Sequence, residues 1–295
     1  PIDLVIRGNS LYTIVDGPTW TEAEANANKL GGYLVSLNSS SENAFIRNNF
    51  AFYGYHHHPQ SSTDPNCYWI GLRDISKNGN WQWEDGTKLG EFTNWEPTVG
   101  HTQPDNIGHE DVVKINPDPQ GSWNNSTKTH IPNVSAGISE TKFIRRGDSA
   151  YVIVEGPTWE EAEANANKLG GHLVTINDAD ENQWLVNNFA SKVSYNGRTG
   201  DQSGEPSYTP RAWIGLNDKD EEGVYKWISG EELTYFEPSH DHQMTGMRNT
   251  YTGLYEGDIP TTQFIDQDYV SIQLGEDAES DDWNPGYWED SWNDH

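Results

Sequence analysis

Gln103-Pro104-Asp105-Asn106, then Glu110, then Asn124-Asn125 gather carboxylates and side-chain amides into one short stretch of chain. Calcium takes about six to eight oxygen ligands; Asp105 and Glu110 offer carboxylates, and Gln103 and Asn124 offer amide oxygens. A proline between two ligands can adopt the cis bond and turn both flanking side chains toward one ion. The same four residues also have the composition of a plain turn with proline at its second position. Trp95 lies shortly before them, and an exposed indole there would stack on the apolar C–H face of a sugar ring. Tyr251, Tyr255 and Tyr287 are further candidates for stacking, although most of the thirteen tryptophans are expected in the core.

Other reactive side chains fit less specific chemistry. His56-His57-His58 and His240-Asp241-His242 have the donors for zinc or copper, but no spaced partner completes a tetrahedral set and solvated loops are the expectation. Cys67 sits beside an apolar run and reads as a small buried hydrophobe rather than a nucleophile. The acidic stretch from Glu276 to Asp282 reads as a solvated loop, with Asp281, Asp282, Glu289 and Asp290 as an alternative calcium cage. The sequence has no nucleophile elbow, phosphate loop or metalloprotease motif, so an enzyme is not expected.

The elements that must position these residues occur twice. Tyr12–Ala51 returns as Tyr151–Ala190, and Trp69-Ile70-Gly71-Leu72 returns as Trp213-Ile214-Gly215-Leu216. Trp81 and Trp83 recur as Tyr225 and Trp227, and each copy ends in a Trp-Asn pair, Trp123-Asn124 and Trp292-Asn293. In the first copy, Leu4, Ile6, Tyr12 and Ile14 fit alternating strands around a turn at Gly8-Asn9. Thr19 with Glu22 predicts a capped helix, and Trp20, Ala23, Ala27 and Leu30 return at helical spacing before Gly31-Gly32. Leu34, Val35 and Leu37 predict a short strand, and Ser40 or Ser41 precedes a second helix with Phe45, Ile46 and Phe50. From Trp81 onward the pattern predicts short strands in an antiparallel half rich in loops. The expected fold class is α+β in two tandem domains, 1–140 and 141–295, each with two helices, short antiparallel sheets and a long loop region.

A net charge of −28 excludes an extended anionic partner such as nucleic acid, whose phosphates need clustered positive charge. The single cysteine cannot pair within the chain. No run is apolar enough to span a bilayer, and Pro1 opens no recognisable signal peptide, as expected of a mature product or a fragment.

The order of aromatic start strand, two helices, Trp-Ile-Gly-Leu strand, long loop and Trp-Asn strand resembles the C-type lectin-like fold, covering nearly the whole chain twice. The family's usual disulfide cysteines are missing, as in its bacterial members. The resemblance implies that Gln103, Asp105, Glu110 and Asn124 form a primary calcium and sugar site, with Trp95 beside it. The Gln-Pro-Asp order implies galactose-type sugars. Asn125 stands where the family has aspartate, which lowers the charge around an ion. In the second copy no such triplet occurs and Gln267 stands at the place of Glu110; Asn293 and Asp294 carry the full Trp-Asn-Asp motif, with Asp241, Asp258 or Asp266 as loop ligands. Glu42 and Glu140 match a structural calcium position that ties the second helix to the closing strand, Glu181 matches Glu42, and surface carboxylates are the alternative. Gly137-Ile138-Ser139-Glu140 resembles the closing strand, whose counterpart in the second copy would lie beyond His295, as in a longer array. The implied function is an extracellular or cell-surface, calcium-dependent carbohydrate-binding adhesion module, with glycans and other modules of the array as partners. The alternative is a structural or protein-binding spacer with calcium only structural or absent.

Overall fold

The computed structural model describes residues 4–51, 67–77, 79–98, 101–105, 110–129, 134–193, 210–221, 223–237, 268–275 and 285–291. The chain divides into two compact units, Pro1–Val154 and Glu155–His295. Unit 1 thus takes in the hairpin and the stretch that follow the 140/141 division expected from the repeat.

Unit 1 opens with β1 (Val5–Arg7) and β2 (Ser10–Asp16), joined at Gly8-Asn9, followed by α1 (Trp20–Lys29), β3 (Tyr33–Leu34) and α2 (Ser40–Ile46). A π-helical turn, Arg47–Ala51, extends α2. Then come β4 (Cys67–Asp74), β5 (Trp81–Trp83), β6 (Pro97–Thr98), β7 (His101–Thr102), β8 (Val112–Ile115), β9 (Trp123–Ser126) and β10 (Val134–Lys142). A hairpin of β11 (Ile144–Arg146) and β12 (Ser149–Tyr151) follows. Unit 2 contains α3 (Trp159–Lys168), α4 (Ala179–Phe189), β13 (Arg211–Asn217), β14 (Lys226–Trp227), β15 (Tyr269–Gln273) and β16 (Trp288–Ser291). Among the described residues, no helix is long and apolar enough to cross a membrane.

Helix α1 forms where local chemistry predicts it. Thr19 Oγ1 accepts from Glu22 N at 3.2 Å, and Glu22 Oε2 accepts from Thr19 N at 3.1 Å, a reciprocal capping box. Trp20, Ala23 and Ala27 are buried on one face, and the indole of Trp20 donates to Ile70 O at 2.9 Å, tying the helix to β4. For α2 the cap is Ser39, whose hydroxyl accepts from Glu42 N at 3.2 Å, so the helix starts one turn residue earlier than Ser40 or Ser41 would place it.

The main sheet of unit 1 runs β1-β2-β10-β4-β8-β9, with β3 on β10 and β5 on β4. It is mixed rather than purely antiparallel, because β10 lies parallel to β4. Sequence periodicity does not distinguish the two, since both put alternate side chains on one face. Gly71 permits the tightest approach in this layer: a Cβ there would lie 2.2 Å from Leu34 O, and Gly71 N donates to Val35 O at 3.0 Å. Gly215 has the same role in unit 2, where a Cβ would lie 2.7 Å from Leu173 O. The glycine in both copies of the Trp-Ile-Gly-Leu motif therefore admits the close approach of the segment ahead of the second helix.

Trp69, Trp83 and Trp123 are fully buried, and the last two pack with Leu37, Ile46, Phe50, Ile70 and Ile138. The rings of Trp83, Phe92 and Trp95 all meet Trp123 edge to face, with centroids 5.6 to 5.8 Å apart. Cys67 is buried, with its thiol donating to Asn116 Oδ1 at 3.4 Å.

Candidate functional site

The long loop of unit 1 is pinned to β9 by backbone. Trp123 N donates to Asn94 O at 2.7 Å and Glu96 N to Trp123 O at 2.8 Å. Just beyond this clamp β6 and β7 form a two-stranded ribbon, and the chain then delivers Gln103-Pro104-Asp105 with a cis peptide bond before the proline. Gln103 Nε2 donates to Asp105 Oδ2 at 3.3 Å, and Asp105 N to Gln103 Oε1 at 3.4 Å.

Glu110 belongs to the same group. Burial pushes its carboxyl above the ordinary range, the Asp105 carboxylate beside it adds to the rise, and a hydrogen bond with Asp105 does the same; Lys114 opposes it. A divalent ion held by both carboxyls would oppose this rise at Glu110.

The strand residues behave differently from each other. Asn124 Nδ2 donates to Glu96 Oε2 at 2.9 Å, the oxygen that also accepts from Asn116 Nδ2 at 3.2 Å. Asn125 is 1% exposed, and neither its amide oxygen nor its amide nitrogen has a partner. An orphaned buried amide costs roughly 1–3 kcal/mol, so its oxygen is available to a ligand. These contacts join Gln103, Asp105 and Glu110 and turn Asn124 to Glu96, while Asn125 stays buried. Among the described residues no three histidine, cysteine, aspartate or glutamate side chains cluster as a metal site. The oxygen donors of this group are two carboxylates and amides, a set whose hardness suits calcium rather than a transition metal. Trp95 is half-buried, with its ring 5.2 Å from Trp81 and 5.8 Å from Trp123, so part of the indole is committed to the core.

Glu42 and Glu140 both act on Tyr12, whose hydroxyl is pushed up to about 12, first by burial and then by the charge of Glu140. Glu140 Oε1 accepts from Ser10 Oγ at 2.9 Å and Tyr12 Oη at 3.1 Å, and pairs with Lys142. Glu42 caps Asn38 N at 2.8 Å and lies 3.8 Å from the Arg7 guanidinium. Each glutamate therefore already faces a cation from the chain.

In unit 2 the place of Trp123 is taken by Trp288. Its indole donates to Asn182 Oδ1 at 2.9 Å as Trp123 donates to Asn43 Oδ1 at 2.7 Å. Asn182 Nδ2 reaches Gly286 O at 2.8 Å, as Asn43 Nδ2 reaches Gly121 O at 3.2 Å. Ile272 stands opposite Trp288 as Ile115 stands opposite Trp123. The residues matching Asn124 and Asn125 are accordingly Glu289 and Asp290, and Glu289 pairs with Arg211. Asn293 and Asp294 lie outside the described residues, as do Asp241, Asp258, Asp266, the histidine runs, Tyr251, Tyr255, Gln267 and the acidic stretch 276–282. The signal that separates the tryptophans is the preceding glycine, in Gly121-Ser122-Trp123 and Gly286-Tyr287-Trp288. Asn43 and Asn182, which hold the second helix against this strand in each unit, lie inside the repeated block but have no chemistry that singles them out by type.

The family model described as the lectin C-type domain matches residues 16–130 and again 155–251. C-type mannose receptor 2 of Rattus norvegicus is 26% identical over 248 residues, covering 75% of this chain and 15% of the receptor, so the chain spans a small part of that relative. Asialoglycoprotein receptor 2 of Rattus norvegicus is 34% identical over 135 residues, covering 43% of this chain and 38% of the receptor. Among solved structures, the mouse scavenger receptor C-type lectin carbohydrate-recognition domain is 23% identical with a TM-score of 0.36, covering 48% of this chain and 97% of that one. With two matched segments that together take in most of its residues, the chain belongs to the lectin C-type domain family.

Proposed function

We propose that unit 1 is a calcium-dependent carbohydrate-binding module of an extracellular or cell-surface protein, acting in adhesion. The observation that carries this reading is the convergence of Gln103, Asp105 and Glu110, and the buried amide of Asn125 on β9, which has no partner, adds to it. Membership of the family and the asialoglycoprotein receptor among the relatives support a glycan as ligand. Calcium would be held by Asp105, Glu110 and the amide oxygens of Gln103 and Asn125, with Asn124 joining on release from Glu96. Its chemistry when bound is to take two neighbouring sugar hydroxyls into its coordination shell. Carboxylate oxygens of Asp105 and Glu110 accept hydrogen bonds from those hydroxyls, and the Gln103 and Asn124 amides donate to them. The Gln-Pro-Asp order supports galactose-type sugars, and the exposed part of Trp95 offers a wall for the apolar sugar face.

A second reading is favoured by three observations on the site strands. Asn124 is already engaged by Glu96, Asn125 is neutral, and Glu289 at the matching strand position of unit 2 pairs with Arg211. On that reading the fold is a structural or protein-binding spacer, with calcium absent or confined to Glu42 and Glu140. Calorimetric titration of calcium into chelator-treated protein, with the Asp105→Ala variant alongside, separates the two. Loss of the titratable site in Asp105→Ala, with calcium-dependent retention of galactose-terminated glycans, is the expected result. Calcium uptake identical in the variant, or glycan retention indifferent to chelator, would overturn the lectin reading.

A further inference from the structure

Glu96 is half-buried and stands directly after Trp95. Backbone fixes its place: its N–H donates to Trp123 O at 2.8 Å, and Trp95 forms a parallel bridge with Trp123, so the Glu96 side chain is delivered beside Asn124, the next residue of β9. Its Oε2 accepts from two amides at once, Asn124 Nδ2 at 2.9 Å and Asn116 Nδ2 at 3.2 Å. A carboxylate acceptor makes such bonds roughly twice as strong as neutral ones.

The second amide is itself aimed. Asn116 Oδ1 accepts from the Cys67 thiol at 3.4 Å, which sets Nδ2 toward Glu96, and that nitrogen also donates to Ser122 Oγ at 3.2 Å. Ser122 gives its own hydroxyl proton to Asp118, leaving its lone pairs to Asn116. Glu96 thus rests on a support built from β4, the end of β8 and β9.

Unit 2 has the same row with the acid moved. Gln273 lies opposite Arg211 as Asn116 meets Cys67, and Gln273 N donates to Tyr287 O at 2.9 Å as Asn116 N donates to Ser122 O at 2.8 Å. Glu289, two residues past Tyr287, therefore stands where Asn124 does. There the strand itself supplies the acid and pairs it with Arg211. In unit 1 the strand supplies an amide, and the acid arrives on the loop after Trp95, where it is released by breaking side-chain bonds alone.

We propose that Glu96 sets the affinity of the unit 1 site for its ion by holding Asn124 back from it. The proposal rests on the lectin reading of Gln103, Asp105 and Glu110. Asn124 has one amide, and the bond from Nδ2 to Glu96 fixes the plane of that group away from the Gln103-Pro104-Asp105 loop. Glu96 and the ion therefore compete for one side chain. The apparent affinity is lowered by the fraction of molecules in which Asn124 is held.

Two measurements on the full chain test this. Side-chain amide resonances of Asn124 report the latch with no ion present: in calcium-free protein their protons are expected to exchange with water at least tenfold more slowly than in Glu96→Asp, whose carboxylate keeps its charge but is one methylene shorter. Calorimetric titration reports the competition: Glu96→Asp is expected to bind calcium at least threefold more tightly than wild type, and the gain is expected to vanish when Asn124→Ala is present in both chains. Unprotected Asn124 amide protons in the calcium-free wild type, calcium affinity unchanged or lowered by Glu96→Asp, or the same gain in the Asn124→Ala background would each overturn the proposal. Calcium uptake that survives Asp105→Ala sinks the lectin reading and this proposal with it, whereas an Asp105-dependent site with any of those three results sinks the proposal alone.

Discussion

At the scale of single residues, the buried acids of unit 1 set a pH dependence of known sign. Burial raises Glu24 above the ordinary carboxylate range, while bonds from Leu34 N and Asn28 and the charge of Arg73 lower it in part. Glu84 is likewise raised by burial, with Arg73 opposing. A group that holds its proton more tightly when folded contributes stability that is complete below its unfolded pKa and lost as pH rises through its folded pKa. The difference in urea midpoint between wild type and Glu24→Gln should therefore shift against wild type as pH climbs from the ordinary glutamate range, about pH 4, toward neutrality. A flat difference curve would contradict the burial assigned to Glu24. Arg73→Gln removes the cation paired with Glu84 and should steepen the same decline.

At the scale of elements, each second helix is held to its site strand by one asparagine. Asn43 bridges Trp123, Gln120 and Gly121, and Asn182 bridges Trp288 and Gly286. Asn43→Ala strands a buried indole N–H and two carbonyls, so unit 1 should lose about 2–4 kcal/mol in denaturant unfolding, and Asn182→Ala should cost unit 2 a similar amount. What the sequence made legible at this scale was local. The capping box at Thr19 and the spacing of Trp20, Ala23 and Ala27 need only neighbouring residues, and the helix stands where they put it. The parallel seat of β10 beside β4 joins residues far apart in the chain, and no period encodes it. Trp288 and Trp292 stand four residues apart; the glycine two residues ahead of Trp288 is the one local signal that separates them, and strand register shows that Trp288 fills the core. At the site, residue types announced the oxygen donors. The burial of Asn125 and the capture of Asn124 by Glu96 depend on the loop's return to β9, which composition does not specify.

At the scale of the whole molecule, a net charge of −28 works against compactness in both units. Raising sodium chloride from about 10 to about 150 mM, which shortens the Debye length from roughly 30 to 8 Å, should raise the calorimetric transitions of both units. Choline chloride should act equally, whereas a response to millimolar calcium beyond this general screening would report a bound ion. The register of β2 against β10 has a mechanical consequence. Ser10 stands opposite Lys142 and Asp16 opposite Ala136, so the chain enters and leaves this ladder at the same end. Once the three-residue β1 has peeled away, tension between the two ends of unit 1 loads the Ser10–Lys142 rung first and opens the ladder like a zipper, one rung after another. A densely packed unit is thereby built to yield softly to a pull.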